Sequence, residues 1–463
     1  MRVVFLSSEV SPFSKTGGLA DVSGTLPKIL VRNRVKVFVF SPYYRQVKGN
    51  FSFVKSSSLT LKEYTLKFEI FEKKEKGVRF FFIRQKKFFD RDGIYGNSRG
   101  DFPDNGLRFI FFQKAVLHSV KELKIKPDVF HLNDWQTSLI PVLKKNDFAS
   151  IPSVLTIHNL AYQGEFSASF APYADLKFEE LPHGRFNFLM LGILNCDFIT
   201  TVSPNYAKEI LTEKFGCGLE GILRKRKNKI RGILNGIDYS VWNPEKDKFI
   251  SHRYSAKDIS GKKKCKAELL KFCKIPHKKS MLASFVGRFA EQKGVEIIAE
   301  ALPIILKKGI SFVMLADGEG PWKEKFLKIQ KKFQNRFSLN FIFDEKLAHR
   351  IYAGSDIFLM PSRFEPCGLG QMIALSYGTV PVVTPVGGLK DTVKPYNFRK
   401  KTGTGFFLKR YSSQSLVEAV LEANRCFKSA HDWEKLVKRA ITQNFSWDKS
   451  AQKYITIYKK LLK

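Results

Sequence analysis

Nothing in this chain is spaced to hold a metal ion or a redox pair. Its six cysteines, at positions 196, 217, 265, 273, 367 and 426, include no C-x-x-C pair, which argues against a zinc ribbon or a redox dithiol. Free thiols are expected. There is no His-x-x-x-His and no acidic cluster, so no metal site is expected. No stretch reaches the roughly 18 uninterrupted apolar residues of a spanning helix, and no membrane span is expected. A strand begins almost at once and Glu9 precedes any apolar region of signal-peptide length, so a cytoplasmic protein is expected. Acidic residues are scarce: 43 Asp and Glu stand against 79 Lys and Arg, a formal net charge of +36. Such a charge favours anionic small substrates. The excess is spread along the chain, with local clusters only at Arg224–Lys227 and Lys262–Lys264. Without an RNA-recognition signature, basic zipper or zinc finger, no specific nucleic-acid partner is expected.

What is present has a regular rhythm. With 463 residues, 44% hydrophobic and 26% charged, the chain suits two α/β domains better than one core. Apolar runs at 2–7, 35–40, 128–132, 153–157, 197–202 and 230–234 predict strands, and amphipathic runs at 106–123 and 203–214 predict helices between them. This alternation implies parallel sheets with crossover helices. The Phe-rich run Arg79-Phe80-Phe81-Phe82-Ile83 predicts a buried strand with solvated ends, and the segment 50–90 around it a local antiparallel insertion. Pro27 lies inside the first helical pattern, which predicts a kink or an earlier helix end. The pattern loosens at 238–258, so residues 241–257 are expected to link a domain at 1–240 to one at 258–443. Strands follow at 281–286, 312–316, 339–343, 356–360 and 380–383, with helices at 294–308, 321–333, 346–353 and 368–378. The tail 444–463 carries a helical stripe of Tyr454, Ile455, Ile457, Tyr458 and Leu461.

The chemistry-bearing residues cluster where strands end, the place at which doubly wound sheets bind ligands. Lys15-Thr16-Gly17-Gly18 follows the first strand and opens a helix. Amides at a helix start together with an ammonium match a diphosphate; a plain turn whose glycines only relieve backbone strain is the competing reading. In the other half, Arg288 and Lys293 flank a comparable turn and would stabilise charge on a leaving diphosphate, unless they form a solvated basic turn. Two such turns, one per half, suggest two domains closing on one phosphorylated ligand. In Ser362-Arg363-Phe364-Glu365-Pro366-Cys367-Gly368-Leu369, Pro366 and Gly368 are expected to hold Glu365 rigidly at a helix N-terminus. There it either caps the helix or takes sugar hydroxyls beside a cationic anomeric centre. Cys367 has no local histidine and reads as a packed residue. The runs His131–Gln136 and Thr156–Gly164 offer Asp, Asn, Trp and Tyr suited to a carbohydrate, although His158 alone fits a structural histidine equally well.

Taken in order, Lys15-Thr-Gly-Gly-Leu-Ala-Asp-Val22, Asn133-Asp-Trp-Gln136, His158-Asn-Leu-Ala-Tyr-Gln-Gly164, Asn235-Gly-Ile-Asp238, Gln292-Lys-Gly294, Ser362–Leu369 and Gly387-Gly-Leu-Lys-Asp-Thr392 resemble the bacterial glycogen synthase and plant starch synthase family. The resemblance runs from residue 1 to about 393 and is weaker at 46–90 and in the tail. It implies a GT-B fold: two Rossmann-like doubly wound domains facing across a deep cleft, with the 444–463 helix crossing back to the N-terminal domain. It also implies retaining transfer of glucose from ADP-glucose, as donor substrate, to the non-reducing-end 4-hydroxyl of an α-1,4-glucan (glycogen), with no metal and no cofactor. Lys15 and the amides of Gly17 and Gly18 would hold the diphosphate from one side, Arg288 and Lys293 from the other. Glu365 would bind donor glucose hydroxyls, and Cys367, Gly368 and Leu369 would steer the phosphates with their backbone. His158 and Asn159 would position the transferred sugar. Asp134, Tyr95 and Glu9 would lie towards acceptor and donor glucose, with Asn235 among the substrate-binding residues. Same-face attack and double displacement both remain open, as does UDP-glucose as donor. Two departures stand out: Gly370 occupies a position that is often Thr or Asn in the family, and +36 exceeds the near-neutral charge expected of it.

Overall fold

The run Val3-Val4-Phe5-Leu6 is completely buried, as a central parallel strand covered on both faces must be. In the computed structural model, which describes residues 1–276, 279–318, 321–342 and 344–463, this strand sits in the first of two compact units. That unit comprises Met1–Val202, Ala207–Leu234 and Trp447–Lys463; the second comprises Ser203–Tyr206 and Asn235–Ser446.

The strands of the first unit's large sheet are β1 (Arg2–Leu6), β2 (Lys36–Pro42), β3 (Ser52–Leu61), β4 (Tyr64–Glu75), β5 (Val78–Arg84), β6 (Val129–Asn133), β7 (Ser153–Ile157), β8 (Phe198–Thr201) and β9 (Ile230–Gly232), in the order β9-β8-β7-β6-β1-β2-β5-β4-β3. Pairing is parallel from β9 to β5. Only β3–β4 and β4–β5 are antiparallel. The segment 50–90 thus carries the expected antiparallel pairing, and it forms one edge of the main sheet. The cause is Phe80, Phe81, Phe82 and Ile83, all fully buried, which make β5 an interior strand. Helix α1 (Gly18–Arg32) follows β1 and runs through Pro27 to its end, so it does not stop there. Helix α2 (Asn105–Glu122) matches its predicted span. The helix expected over 203–214 stops at Glu209, where the Thr212 hydroxyl takes the Glu209 carbonyl at 2.7 Å. The C-terminal helix (Trp447–Leu461) belongs to this unit and buries Tyr454, Ile455, Ile457 and Tyr458. Its Tyr458 hydroxyl meets Nδ1 of the fully buried His131 at 2.5 Å.

The second unit's sheet is wholly parallel. Its strands are β10 (Leu282–Arg288), β11 (Ser311–Asp317), β12 (Phe337–Phe341), β13 (Ile357–Met360), β14 (Val380–Val383) and β15 (Phe406–Phe407), ordered β12-β11-β10-β13-β14-β15. This is the Rossmann order, whose switch point lies between β10 and β13. The third strand was expected at 339–343; it begins at Phe337, and Phe343 lies outside the described residues. Helices α3 (Val295–Lys307), α4 (Glu345–Gly354), α5 (Gly370–Ser376) and α6 (Gly387–Thr392) lie between and after these strands. Further helices of the unit are Ser260–Phe272, Lys323–Lys332 (expected at 321–333), Ser413–Phe427 and Ala430–Ile441. Residues 241–257, expected as a linker, are fastened within it. The Asp247 carboxylate accepts from the Tyr377 hydroxyl at 2.5 Å and pairs with His349 Nδ1 at 2.6 Å. Trp242 stacks on that imidazole, and Tyr254 donates to the Tyr377 carbonyl at 2.9 Å. All six cysteines are free, and among the described residues no helix is long and apolar enough to cross a membrane.

Candidate active site

In the first unit, the ends of β1, β6 and β7 deliver the predicted residues to one sheet edge. Glu9, just past β1, is buried. Its carboxylate accepts from the Thr16 amide, the Thr16 hydroxyl at 2.7 Å, the Gly17 amide at 3.1 Å and the Tyr95 hydroxyl at 2.7 Å. The glycine turn thus holds an anion with its amides, and in this structure the anion is Glu9. Gly17 has an extended backbone (φ −151°), and a Cβ at 17 or 18 would meet nothing within 4 Å among the described residues. Neither glycine is needed to relieve strain in the chain, so the plain-turn reading loses its physical basis. Lys15 is exposed and pairs with Asp21 at 2.7 Å. Tyr95 also bonds the Ser8 hydroxyl at 2.7 Å, and burial beside Glu9 pushes its phenol well up.

Past β6, Asp134 adopts a positive φ of 55° and accepts the His158 amide at 2.7 Å. Burial pushes its carboxyl up to about 7, against the lowering effect of the His158 and Asn159 amides; nearby Glu9 pushes in the same direction as burial. Past β7, the His158 imidazole is pushed down to about 3 by burial and places Nε2 2.9 Å from the Asn133 side-chain oxygen. Asn159 is half-buried and accepts the Ala161 amide at 3.1 Å. His131, though part of the same sequence motif, points into the core and stands outside this group.

These shifts set an acid limit on stability. His131 and His158 are both held near 3, so between about pH 6.5 and 3 the unfolded chain binds two protons that the folded chain refuses. Asp134 works the other way: between about pH 7 and 3.9 the folded chain carries one proton that the unfolded chain lacks. Two imidazoles outweigh one carboxyl, so the urea midpoint should fall as pH drops from about 6.5 to 4. A midpoint that rose over that window would contradict the burial of both histidines as neutral bases.

In the second unit, β10 and β13 do the same work. Arg288 ends β10 and is exposed. Lys293 reaches Glu365 at 2.6 Å, and Glu365 also accepts from the Ser362 hydroxyl at 3.0 Å. The two loops are tied by Arg363 N–H to the Gln292 carbonyl at 2.9 Å and by the Gln292 amide to the Phe364 carbonyl at 3.3 Å. Glu365 was expected at a helix N-terminus, but α5 begins only at Gly370 and has Leu369 at its cap with no side-chain bond. The carboxylate is held by Lys293 and Ser362 instead, so it is not a helix cap. Cys367 is buried, its thiol pushed up to about 12 by burial, which suits a packed residue. Gly368 and Leu369 are half-buried at the entrance to α5. Asn235 is buried, and its side-chain oxygen has no donor among the described residues. A Cβ at Gly370 would come within 3.1 Å of the Phe358 ring and 3.3 Å of the Tyr352 hydroxyl, a tight fit that a larger residue would need these two side chains to relieve by a small shift.

The predicted residues therefore form two groups. Glu9, Lys15, Gly17, Gly18, Tyr95, Asp134, His158 and Asn159 lie in the first unit, and Asn235, Arg288, Lys293, Glu365, Cys367, Gly368 and Leu369 in the second. Sequence reasoning gave no role to Thr16, Ser362 or Asn133. Each sits inside a quoted motif, which was the only available signal. Among the described residues, no three His, Cys, Asp or Glu side chains converge as metal ligands.

Comparison with known proteins agrees with this architecture. Residues 2–225 match the starch synthase catalytic domain, and residues 269–439 match glycosyl transferases group 1. The chain is 40% identical to the glycogen synthase of Koribacter versatilis, over 99% of this chain and 98% of that protein. It is 40% identical to that of Thermotoga maritima, over 100% and 99%. Among solved structures, the catalytic domain of starch synthase IV from Arabidopsis thaliana, bound to ADP and acarbose, superposes with a TM-score of 0.90 at 32% identity, covering 99% of both chains. Sucrose-phosphate synthase from Thermosynechococcus elongatus, at 16% identity and a TM-score of 0.63, shares the fold. With two Rossmann-like units of the GT-B class and full-length relatives at this identity, the chain belongs to the glycogen and starch synthase family of glycosyltransferases.

Proposed function

We propose that this protein elongates an α-1,4-glucan by moving glucose from ADP-glucose to the non-reducing-end 4-hydroxyl, with retention of configuration and release of ADP. The observation that carries this reading is the Lys293–Glu365 pair, a cation and a carboxylate 2.6 Å apart on the loops at the β10/β13 switch point. A leaving diphosphate needs fixed positive charge, which Lys293 and Arg288 supply. A glucosyl group needs hydroxyl acceptors near its anomeric carbon, which Glu365 supplies. Lys15 and the amides at Gly17 and Gly18 contribute to the diphosphate, with Glu9 yielding the Gly17 amide as it binds. Gly368, Leu369 and Cys367 present backbone to the phosphates, and Asn235 contributes to substrate binding. His158 and Asn159 position the transferred sugar, while Asp134, Tyr95 and Glu9 serve the sugar-binding side. ADP as the nucleotide is supported by the plant starch synthase solved with ADP and acarbose. No cofactor enters the proposed reaction.

Same-face attack, in which a donor phosphate oxygen takes the acceptor's proton, is favoured over double displacement. Glu9 has both carboxylate oxygens engaged by Thr16, Gly17 and Tyr95, and Glu365 is held by Lys293 and Ser362, so neither is arranged as an unengaged nucleophile. The test is incubation with ADP-glucose or UDP-glucose and a glucan primer. Incorporation from ADP-glucose is expected; incorporation only from UDP-glucose, or only into a non-glucan acceptor, would overturn the assignment in favour of that alternative.

A further inference from the structure

We infer that Asn133 is a positioning residue for the transfer: it accepts the Nε2 proton of His158 and so fixes the imidazole tautomer in which Nδ1 is an acceptor for a hydroxyl of the transferred sugar. The sugar contact rests on the function proposed above; the tautomer rests on the structure alone. Asn133 ends β6 and is fully buried. One end of its side chain lies 2.8 Å from the Leu6 carbonyl oxygen and the other 2.9 Å from His158 Nε2. A backbone carbonyl can only accept, so the end facing Leu6 is the NH2 group and the end facing His158 is the oxygen. That oxygen can only accept as well. His158 Nε2 must then be the donor, because the other tautomer would set two lone pairs against each other. A neutral imidazole has a single N–H, which leaves Nδ1 with its lone pair free of hydrogen.

The asparagine has little freedom to do otherwise. Its backbone N–H donates to the Thr137 hydroxyl, and that hydroxyl returns to the Asn133 carbonyl at 2.9 Å. The register of β1 beside β6 places Leu6 next to Leu132, which brings the Leu6 carbonyl to the asparagine. The ionisable groups around His158 leave the arrangement intact. Asp134 accepts its backbone N–H, Glu9 acts on Asp134, and His131 is occupied by Tyr458 and Thr156. Burial keeps the His158 ring neutral.

The test uses the full-length protein carrying 15N-labelled histidine, with the His158 signals identified by their loss in His158→Gln. The expected spectrum shows a neutral ring protonated at Nε2. Asn133→Asp keeps an acceptor against Nε2 but loses the donor to the Leu6 carbonyl; once ionised, its carboxyl adds a negative charge that should raise the His158 pKa by about 1–3 units. Protonation of Nδ1 then removes the acceptor, so the acid limb of the kcat–pH profile should move up by the same amount, with ADP affinity unchanged. Asn133→Ala and Asn133→Asp both take the N–H donor from the Leu6 carbonyl and cost stability, so the nitrogen shifts of the labelled wild-type enzyme decide the tautomer, and those of the Asp variant are read for the His158 pKa before its kinetics. A wild-type ring protonated at Nδ1 would overturn the inference, and so would an Asn133→Asp enzyme whose His158 pKa rises while its kcat–pH profile stays superimposable on the wild type. If no nucleotide sugar supports transfer, the proposed function and the sugar contact fall together, and the nitrogen shifts still decide the tautomer.

Discussion

Glu365→Ala is expected to lower kcat by about 10²–10³-fold while the protein keeps its fold. The carboxylate is buried, but it is bound by polar partners and does not fill an apolar core: Lys293 reaches it at 2.6 Å and Ser362 at 3.0 Å. Its removal takes away a hydroxyl acceptor at the sugar and releases the ammonium that faces the leaving diphosphate. The stability loss should be small, about 1–2 kcal/mol, because Lys293 retains some access to water once unpaired. Glu365→Gln separates the two effects. It keeps the length and one oxygen acceptor, so it should still hold Ser362, but it has no charge with which to orient Lys293. Steady-state kinetics with ADP titration and thermal unfolding of both variants check this. Near-normal turnover in Glu365→Ala would remove Glu365 from the site. Full recovery in Glu365→Gln would reduce its role to shape.

The β-strands and the site loops were legible for the same physical reason. Parallel strands buried on both faces must be continuously apolar, so Val3–Leu6 and Val380–Val383 stand out, and the polar residues just past them are the ones that reach the sheet edge. What stayed hidden depends on partners remote in the chain. Asn133 was visible as a motif residue, but its role needs the Leu6 carbonyl, 127 positions away, which only the β1–β6 pairing supplies. Glu9 was assigned towards sugar, yet its hold on Thr16, Gly17 and Tyr95 follows from how the loop after β1 closes on itself. Glu365 was placed at a helix start because Pro366 and Gly368 suggested one, whereas the chain bends through Gly368, at φ of +71°, before the helix begins at Gly370. Aperiodicity at 241–257 was taken for looseness. That segment is irregular because single side chains, Asp247 and Tyr254, anchor it without any repeating face. At Pro27 the helix does not end: one missing N–H is tolerated inside a helix whose buried face includes Leu26, Pro27, Ile29 and Leu30.

Gly387→Ala should abolish most of the activity through backbone alone, and the glycines of the first unit should behave in the opposite way. Gly387 begins α6 with φ of +43°, and a Cβ there would overlap the Glu365 carbonyl oxygen. The next residue, Gly388, donates its N–H to that same carbonyl at 3.0 Å. The motif Gly387-Gly388 is therefore the floor on which the Glu365 loop rests. An alanine at 387 must displace either α6 or residue 365. A shift near 1 Å in a positioned group costs on the order of 10²-fold in rate, and the left-handed backbone adds about 1–2 kcal/mol of instability. Gly18→Ala has neither problem: among the described residues no atom lies within 4 Å of its Cβ position, and alanine is the better helix former at the start of α1. It should fold at least as well as the wild type while losing donor affinity, since the only thing its methyl can obstruct is a ligand at the amides. Thermal unfolding, kcat and ADP binding on both variants distinguish the two uses of glycine. An active Gly387→Ala would show that the Glu365 loop does not rest on α6. Unchanged ADP binding in Gly18→Ala would leave the glycine turn with no part in holding the diphosphate.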